Sequence, residues 1–590
     1  MKKHYILIVI LFSSYSIIAQ KITDEPSRAF VLGNFQEYIN TIAKEISIKN
    51  AKVPIAVAKD KTYLVNVYTA DKNEIIGKLD GSETVFSLHT DEKGTRGYFI
   101  VSAEDNIVYR YKTTKEGTLE VFPTDINSVM CHGYHKDVNS LPKIKTSKKF
   151  KKREALDKTA STDPSELESL PGSGNIILVD MDGYQLPSGT VWNGGASYTA
   201  DSVGWNEDQL KLIWAEIAED FAPFDVNVTT KESLWSTVGT SNRQRVVINR
   251  SQPFTGGDGV AMLGSFGGTE AVCWMWMNDS YTTDEVGDVA SHELGHTLNL
   301  QHQGGPSGPY YPGHDDPSHD GWVPIMGNAF KKIISQWCNS EFNGATANQD
   351  DLAIITQTIN YNADDHSNDT SGASDLNVDV DGNVDINNNE GLITNRTDVD
   401  YFKFDAEPGN LNLTIKPRPL NNTGVINRSN LDIIAKLYSD DGTLMATAEA
   451  GHKDLLDGAV FNVDLTTAGT YYIEVDGYGT GNPVTGYTDY ASIGPYSISG
   501  SIPTAALGID DFETNGIRIY PNPSEGFIVI EGIDRLENYL LINGLGQIVK
   551  KGKLNGLAKE RVDFYHLQKG YYILKLRSNN QYLTKPILLN

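Results

Sequence analysis

The strongest chemical signal in the chain is the run Val289-Ala290-Ser291-His292-Glu293-Leu294-Gly295-His296-Thr297-Leu298-Asn299-Leu300-Gln301-His302. On a helix, His292 and His296 lie four residues apart, so both imidazoles leave one face and can grip a single ion. Glu293, one residue on, can reach the outer side of that ion, where a water would sit. Zinc needs a third ligand if its fourth position is to stay open, and His302 supplies it if the helix ends soon after His296 and the chain turns back. Asn299 sits where that turn must fall, and Asn is second only to Gly in tolerating a positive φ. The alternative, surface histidines on an amphipathic helix, needs a coincidence on the order of 2 in 10,000 for this spacing. His314 and His319 are rival third ligands, but neither has the offset of His302.

The elements that must position these residues are legible nearby. Thr282 and Glu285 form a possible capping box for a helix running from about Asp284 into the histidines. Asn206, with Gln209 three residues on, caps a second helix to Phe221, whose Leu210, Ile213, Trp214, Ile217 and Phe221 share one apolar face. Ile176–Val179, Phe224–Thr230, Arg245–Ile248 and Ala271–Met277 read as strands. An α/β texture therefore begins at Asn175.

HExxHxxNxxH resembles the metzincin zinc peptidases, whose motif is HExxHxxGxxH followed by a Met-containing turn beneath the metal. Asn299 replaces the usual Gly, and Pro324-Ile325-Met326-Gly327 fits the Met-turn, with Met326 as the floor under the imidazoles. The resemblance implies a mixed-sheet α/β (α+β) catalytic domain with an active-site helix. His292, His296 and His302 would bind one Zn2+, and Glu293 would be the general base. It also implies that Gly259–Gly264 forms an antiparallel edge strand on which a protein or peptide substrate docks. Where some members carry a tyrosine ligand two residues after the Met, this chain has Asn328, so no tyrosine ligand is expected there. Of the three cysteines, Cys273 and Cys338 would pair, and Cys131 would be a zinc-binding latch of the kind found in some metzincin pro-segments, or else a buried, inert thiol.

Length and composition set the frame. The chain has 590 residues, 50 Lys+Arg against 76 Asp+Glu, a net charge of -26, 39% hydrophobic and 21% charged residues. That is a multidomain globular protein, and its acidic balance excludes nucleic acid as an expected partner. A basic start and the apolar run Tyr5–Ile18 read as a secretory signal peptide over 1–20, and no later stretch is long and apolar enough for a stable membrane span. A pro-region follows over 21–142, opening with an expected helix from Val31 to Ile48 and continuing in strands such as Thr62–Tyr68 and Arg96–Val101. The basic, polar stretch 143–174 reads as a linker and candidate activation region, cut at its exposed Lys/Arg run. The zinc peptidase block spans 175–365. An acidic segment over 366–394 reads as a solvated linker. Within it, Asp379-Val380-Asp381-Gly382-Asn383-Val384-Asp385 and Glu390 partly match a calcium loop, which makes Ca2+ the second candidate ion.

Two C-terminal blocks carry further resemblances. Asp398–Phe404, Leu431–Ile433, Gly469–Val475 and Tyr490–Tyr496 resemble the bacterial pre-peptidase C-terminal domain, a β-sandwich, over 395–503. Ile519-Tyr520-Pro521-Asn522-Pro523, Asn543–Gln547 and Gly570–Leu574 resemble the type A sorting domain of the type IX secretion system, over 512–590. That resemblance implies the type IX machinery as a partner and a secreted or surface location. The expectation is a secreted zinc endopeptidase made as a latent precursor. The alternative is a secreted adhesive or glycan-binding protein whose zinc site is structural or inactive. Glu293 argues against the alternative, because a structural site has no use for a base beside an open coordination position.

Overall fold

The computed structural model describes residues 29–46, 52–129, 163–504 and 517–590, apart from short stretches inside those ranges. The signal peptide, Cys131 and the basic run 143–153 lie outside the described residues.

Strand signals dominate. Period-two alternation fills the N-terminal block and both C-terminal blocks, whereas a 3.6-residue period long enough for a helix of three turns occurs at three places only. The described residues accordingly hold thirty-five strands in eight sheets against four α-helices. The expected metzincin-like α/β (α+β) catalytic fold is corrected on that ground: the chain is strongly β-rich, built of several sheets in sandwich-like domains.

The N-terminal block is one eight-stranded antiparallel sheet whose first strand, Phe30–Asn34, pairs with its last, Thr118–Thr124. Helix α1 (Phe35–Ile46) lays Phe35, Ile39 and Ile42 onto the sheet's apolar face. The helix expected from Val31 begins four residues later. Gly33 takes φ +98°, and the Asn34 side chain accepts from the backbone N–H of Gln36 and Glu37, so Asn34 closes the helix N-terminus.

Residues 175–365 contain a five-stranded sheet in the order Asn227–Thr229, Ile176–Asp180, Arg243–Asn249, Val272–Trp276, Gly259–Val260; the first four are parallel and the last antiparallel. Its strands are buried on both faces, and alternate residues serve different cores. Val246, Ile248, Cys273 and Met275 pack with α2 (Glu207–Phe221) and α3 (Thr283–Thr297). Val247, Val272, Trp274 and Trp276 pack instead with Tyr98, Ile100, Val108 and Val129 of the N-terminal block. Both expected capping boxes are present, Asn206 with Gln209 and Thr282 with Glu285.

Residues 374–501 form two facing five-stranded sheets. The segment read as an acidic linker is part of them: Asn383–Val384 and Glu390–Ile393 both pair with Gly494–Ser501. Its Asp and Asn residues occupy tight turns between strands too short to register as a periodic pattern. Three of the four calcium-loop carboxylates are already engaged. Asp379 accepts from the Asp381 and Asn383 N–H groups, Asp385 accepts from Asn387, and Glu390 pairs with Arg418.

The sandwich is keyed into the block before it. Arg428 is buried between α2 and α3, paired with Asp288 and with Glu216 at 3.4 Å. Beside it Asn430 donates through its side chain to Asp220 (2.9 Å) and through its backbone to Glu219 (3.0 Å), and Ser429 donates to Glu219 (2.9 Å). Burial pushes Glu219 from the ordinary 4.5 up to about 7, against those two hydrogen bonds. A carboxyl raised in the fold stabilises it fully below the unfolded value and loses that contribution as pH rises through the folded one. Glu219→Gln should therefore flatten the fall in stability between pH 4.5 and 7, by about 3 kcal/mol at most. Urea melts of the two proteins at pH 5 and pH 8 check this; an equal pH dependence would contradict it.

Candidate metal centre

Helix α3 ends by a turn that the sequence dictates. Asn299 adopts φ +77°. Its N–H reaches the His296 carbonyl (2.8 Å), and the Leu300 N–H reaches that of Gly295 (3.1 Å). This pair of bonds is the Schellman arrangement, which satisfies the last helical carbonyls and reverses the chain. The reversal brings His302 back to the helix. Its neighbours are pinned, because the Gln301 N–H donates to the Gln349 side chain (2.8 Å) and the Gln303 N–H to the Met326 carbonyl (2.8 Å).

His292, His296 and His302 converge, each offering a ring nitrogen within 4.8 Å of the other two. The Nδ1 atoms of His292 and His296 lie 2.9 and 2.7 Å from the carbonyls of Ile325 and Leu300. A carbonyl only accepts, so each Nδ1 carries the proton and each Nε2 presents a lone pair. Those two Nε2 atoms stand 3.1 Å apart. A hydrogen bond between them would require a doubly protonated ring, and burial holds all three imidazoles below their ordinary pKa, His296 at about 4. Two lone pairs facing each other in a dry site are relieved by a shared cation. The donor set, three neutral imidazoles, suits Zn2+.

Glu293 is fully buried, and neither carboxylate oxygen has a hydrogen-bond partner. Burial alone pushes its pKa well above the ordinary value. Gly259, on the antiparallel edge strand, lies against it. A Cβ added at Gly259 would sit 2.7 Å from Glu293 Cγ, so the strand approaches this acid only because it has no side chain there. Gly259→Ala should force Glu293 or the edge strand out of place and cost about 1–3 kcal/mol of stability; a denaturant melt checks this.

Met326 is fully buried beneath the site in a turn closed by the Gly327 N–H and the Pro324 carbonyl (2.8 Å). A Cβ on Gly295 would come within 2.5 Å of its Sδ, so a bare helix position lets the Met-turn pack. His314 does not join the three histidines; its Nδ1 lies 3.1 Å from the Tyr311 hydroxyl. The expected Cys273–Cys338 disulfide is corrected, since both thiols are free and buried. Cys273 points from a central strand into the core under α3, whereas Cys338 belongs to a separate cluster with Trp322 and Phe342.

Three neighbours of the site carried no sequence signal. The Tyr310 ring lies 4.3 Å from that of His302, on a Gly/Pro-rich loop without periodicity. Arg110 of the N-terminal block donates to the Asn299 side chain (2.7 Å), and the Leu263 N–H donates to the Val129 carbonyl (3.1 Å). Those contacts span more than a hundred residues of sequence, and nothing local announces them.

Against known proteins, residues 518–590 match the sequence model of the secretion system C-terminal sorting domain. The C-terminal module is a type IX sorting domain. It marks the chain for export to the cell surface or the extracellular space and makes the secretion machinery its partner. No curated protein matches the chain. Among solved structures, a biofilm-associated protein BSP domain matches at 14% identity, covering 32% of this chain and 29% of that one, with a TM-score of 0.11. The β-glucuronidase of Parabacteroides merdae matches at 11% identity over 32% and 27%, TM-score 0.10. That of Ruminococcus gnavus matches at 8% over 32% and 35%, TM-score 0.10. The chain thus spans about a third of the length of these structures, and likeness at such TM-scores carries no argument. No helix among the described residues is long and apolar enough to cross a membrane.

Proposed function

We propose that this exported chain is a zinc-dependent endopeptidase made as a latent precursor. The observation that carries the reading is the convergence of three neutral imidazoles beside a buried glutamate whose two oxygens have no partner. The motif-level resemblance to metzincins supports it. Zinc bound at the three histidines supplies a Lewis acid that polarises the scissile carbonyl and acidifies water. His292, His296 and His302 would hold the ion, with the tautomers of His292 and His296 fixed by the Ile325 and Leu300 carbonyls. Glu293, whose pKa burial raises well above the ordinary carboxylate value, takes the proton from water and returns it to the leaving amine. The edge strand Gly259–Val260 lies against Glu293 and offers backbone groups to an extended peptide, which would add as a strand. The contacts from Arg110 and Val129 reach this same corner of the molecule, which supports latency of the uncut chain.

The test is proteolysis of unfolded casein by the exported chain before and after limited trypsin. Activity that rises on trimming and disappears with a zinc chelator supports the reading. A folded, zinc-loaded, trimmed chain that cuts neither casein nor a broad peptide library overturns it.

A further inference from the structure

The eight-stranded sheet of the N-terminal block is apolar on both faces, although its own helix covers only one. Side chains alternate along a strand. Phe99, Tyr109 and Tyr111 point to the face under α1 and belong to the block's own core. Tyr98, Ile100 and Val108 therefore point to the opposite face, yet each is 7% exposed or less. The register of the strands Gly94–Ser102 and Ile107–Thr113 gathers them into one patch, with Ile100 opposite Val108 and Tyr98 opposite Arg110. The patch is three apolar side chains with a guanidinium at its rim.

The 175–365 block is what covers it. Tyr98, Ile100 and Val108 share one buried cluster with Val247, Val260 and Trp276 of the five-stranded sheet. Helices α2 and α3 pack on one face of that sheet. On the other face the hairpin Tyr184–Leu186/Tyr198–Ala200 sets two rings 6.0 Å from that of Trp274, and the N-terminal block joins the same cluster. Parallel strands need cover on both faces. The polar rim reaches the candidate metal centre, because Arg110 donates to the side chain of Asn299, the turn residue between His296 and His302 (2.7 Å). None of these contacts involves residues 143–174, so cutting that segment removes none of them.

We propose that the Tyr98–Ile100–Val108 patch, with Arg110 at its rim, keeps the N-terminal block bound to the 175–365 block after the segment 143–174 is cut. The trimmed protein is then a two-chain complex, and the block is a standing wall of it instead of a pro-segment that dissociates. The surface has the character of a domain core divided between two chains, as in obligate complexes. Separation would bare Ile100 and Val108 on one side and Val260 and Trp276 on the other, with water as the only replacement. Any gain of activity on trimming falls instead to the tail after Thr124, where the Val129 carbonyl accepts from the Leu263 N–H beside the edge strand (3.1 Å). The inference concerns association alone, so it stands or falls separately from peptide hydrolysis.

The experiment uses the full exported chain, cut by limited trypsin in the Lys/Arg run 143–153 and passed over a size-exclusion column at micromolar concentration. The expected result is two pieces on a denaturing gel that elute together from the column and separate only in denaturant. Val108→Asp places a carboxylate in the shared cluster but leaves the block's own core untouched, since Val108 faces away from it. In that variant the cut pieces should bind at least about 100-fold more weakly and elute apart. Should Val108→Asp not fold, Arg110→Ala decides in its place, with release after cutting expected to be about 10-fold faster. A block that elutes alone from the unaltered cut chain would overturn the proposal. So would its digestion at a trypsin dose that spares the rest of the chain, or a variant that holds the block as tightly as the unaltered chain does.

Discussion

Glu293→Gln is expected to lower hydrolysis of a peptide substrate by about 10²–10⁴-fold while the chain keeps one zinc and its melting temperature. The carboxylate is one residue from His292 but is not itself among the converging ligands, and both its oxygens are buried without a partner. Glutamine fills the same volume and carries no basic oxygen, so the chemistry is lost and the packing kept. Removing a buried, unpaired acid should if anything raise stability slightly. Steady-state rates, metal analysis and a thermal melt on the same preparation separate the outcomes. Loss of zinc along with activity would make Glu293 a structural element instead.

The second large effect lies outside the site. Arg428→Met should destabilise the unit formed by residues 163–504 by about 3–5 kcal/mol. The arginine comes from the sandwich, yet it is buried against Asp288, one helical turn before His292 on α3, and against Glu216 on α2. Without it two buried acids lose their counter-charge. Neutralising them as well, in Arg428→Met/Asp288→Asn/Glu216→Gln, should recover most of the loss, because the cost comes from the uncompensated charges and not from a missing contact. Denaturant melts of the single and triple variants check this. Equal destabilisation in both would mean that Arg428 acts through packing alone. Because the pairing fixes α3, the single variant should also bind zinc more weakly.

Local chemistry was legible in the sequence wherever a few adjacent residues decide the conformation. Asn206 with Gln209 and Thr282 with Glu285 cap their helices as read, and Asn299 takes the left-handed conformation that brings His302 back. The three imidazoles therefore meet where their spacing placed them. Non-local features were not legible. The β-rich architecture overturned the expected α/β catalytic fold because two well-marked helices drew attention from many short strands, each weak alone. Asn383–Val384 and Glu390–Ile393 were hidden among turn residues and read as linker. The parity of three cysteines suggested a disulfide, but Cys273 and Cys338 face different cores. For α1 the cap at Asn34 was a local signal, and Val31 merely continued an apolar run that belongs to the strand before it. Arg428 is separated from Asp288 by 140 residues, and no pattern along the chain connects them.

The most direct test is a zinc titration of the trypsin-trimmed, metal-free chain, following the rate of peptide hydrolysis as zinc is added. Hydrolysis that rises in proportion to zinc and saturates at one equivalent, and that fails to appear in His302→Ala, is the predicted result. A chain that takes up one zinc at these histidines with no hydrolysis at any point of the titration, on casein or on a broad peptide library, would contradict a zinc peptidase.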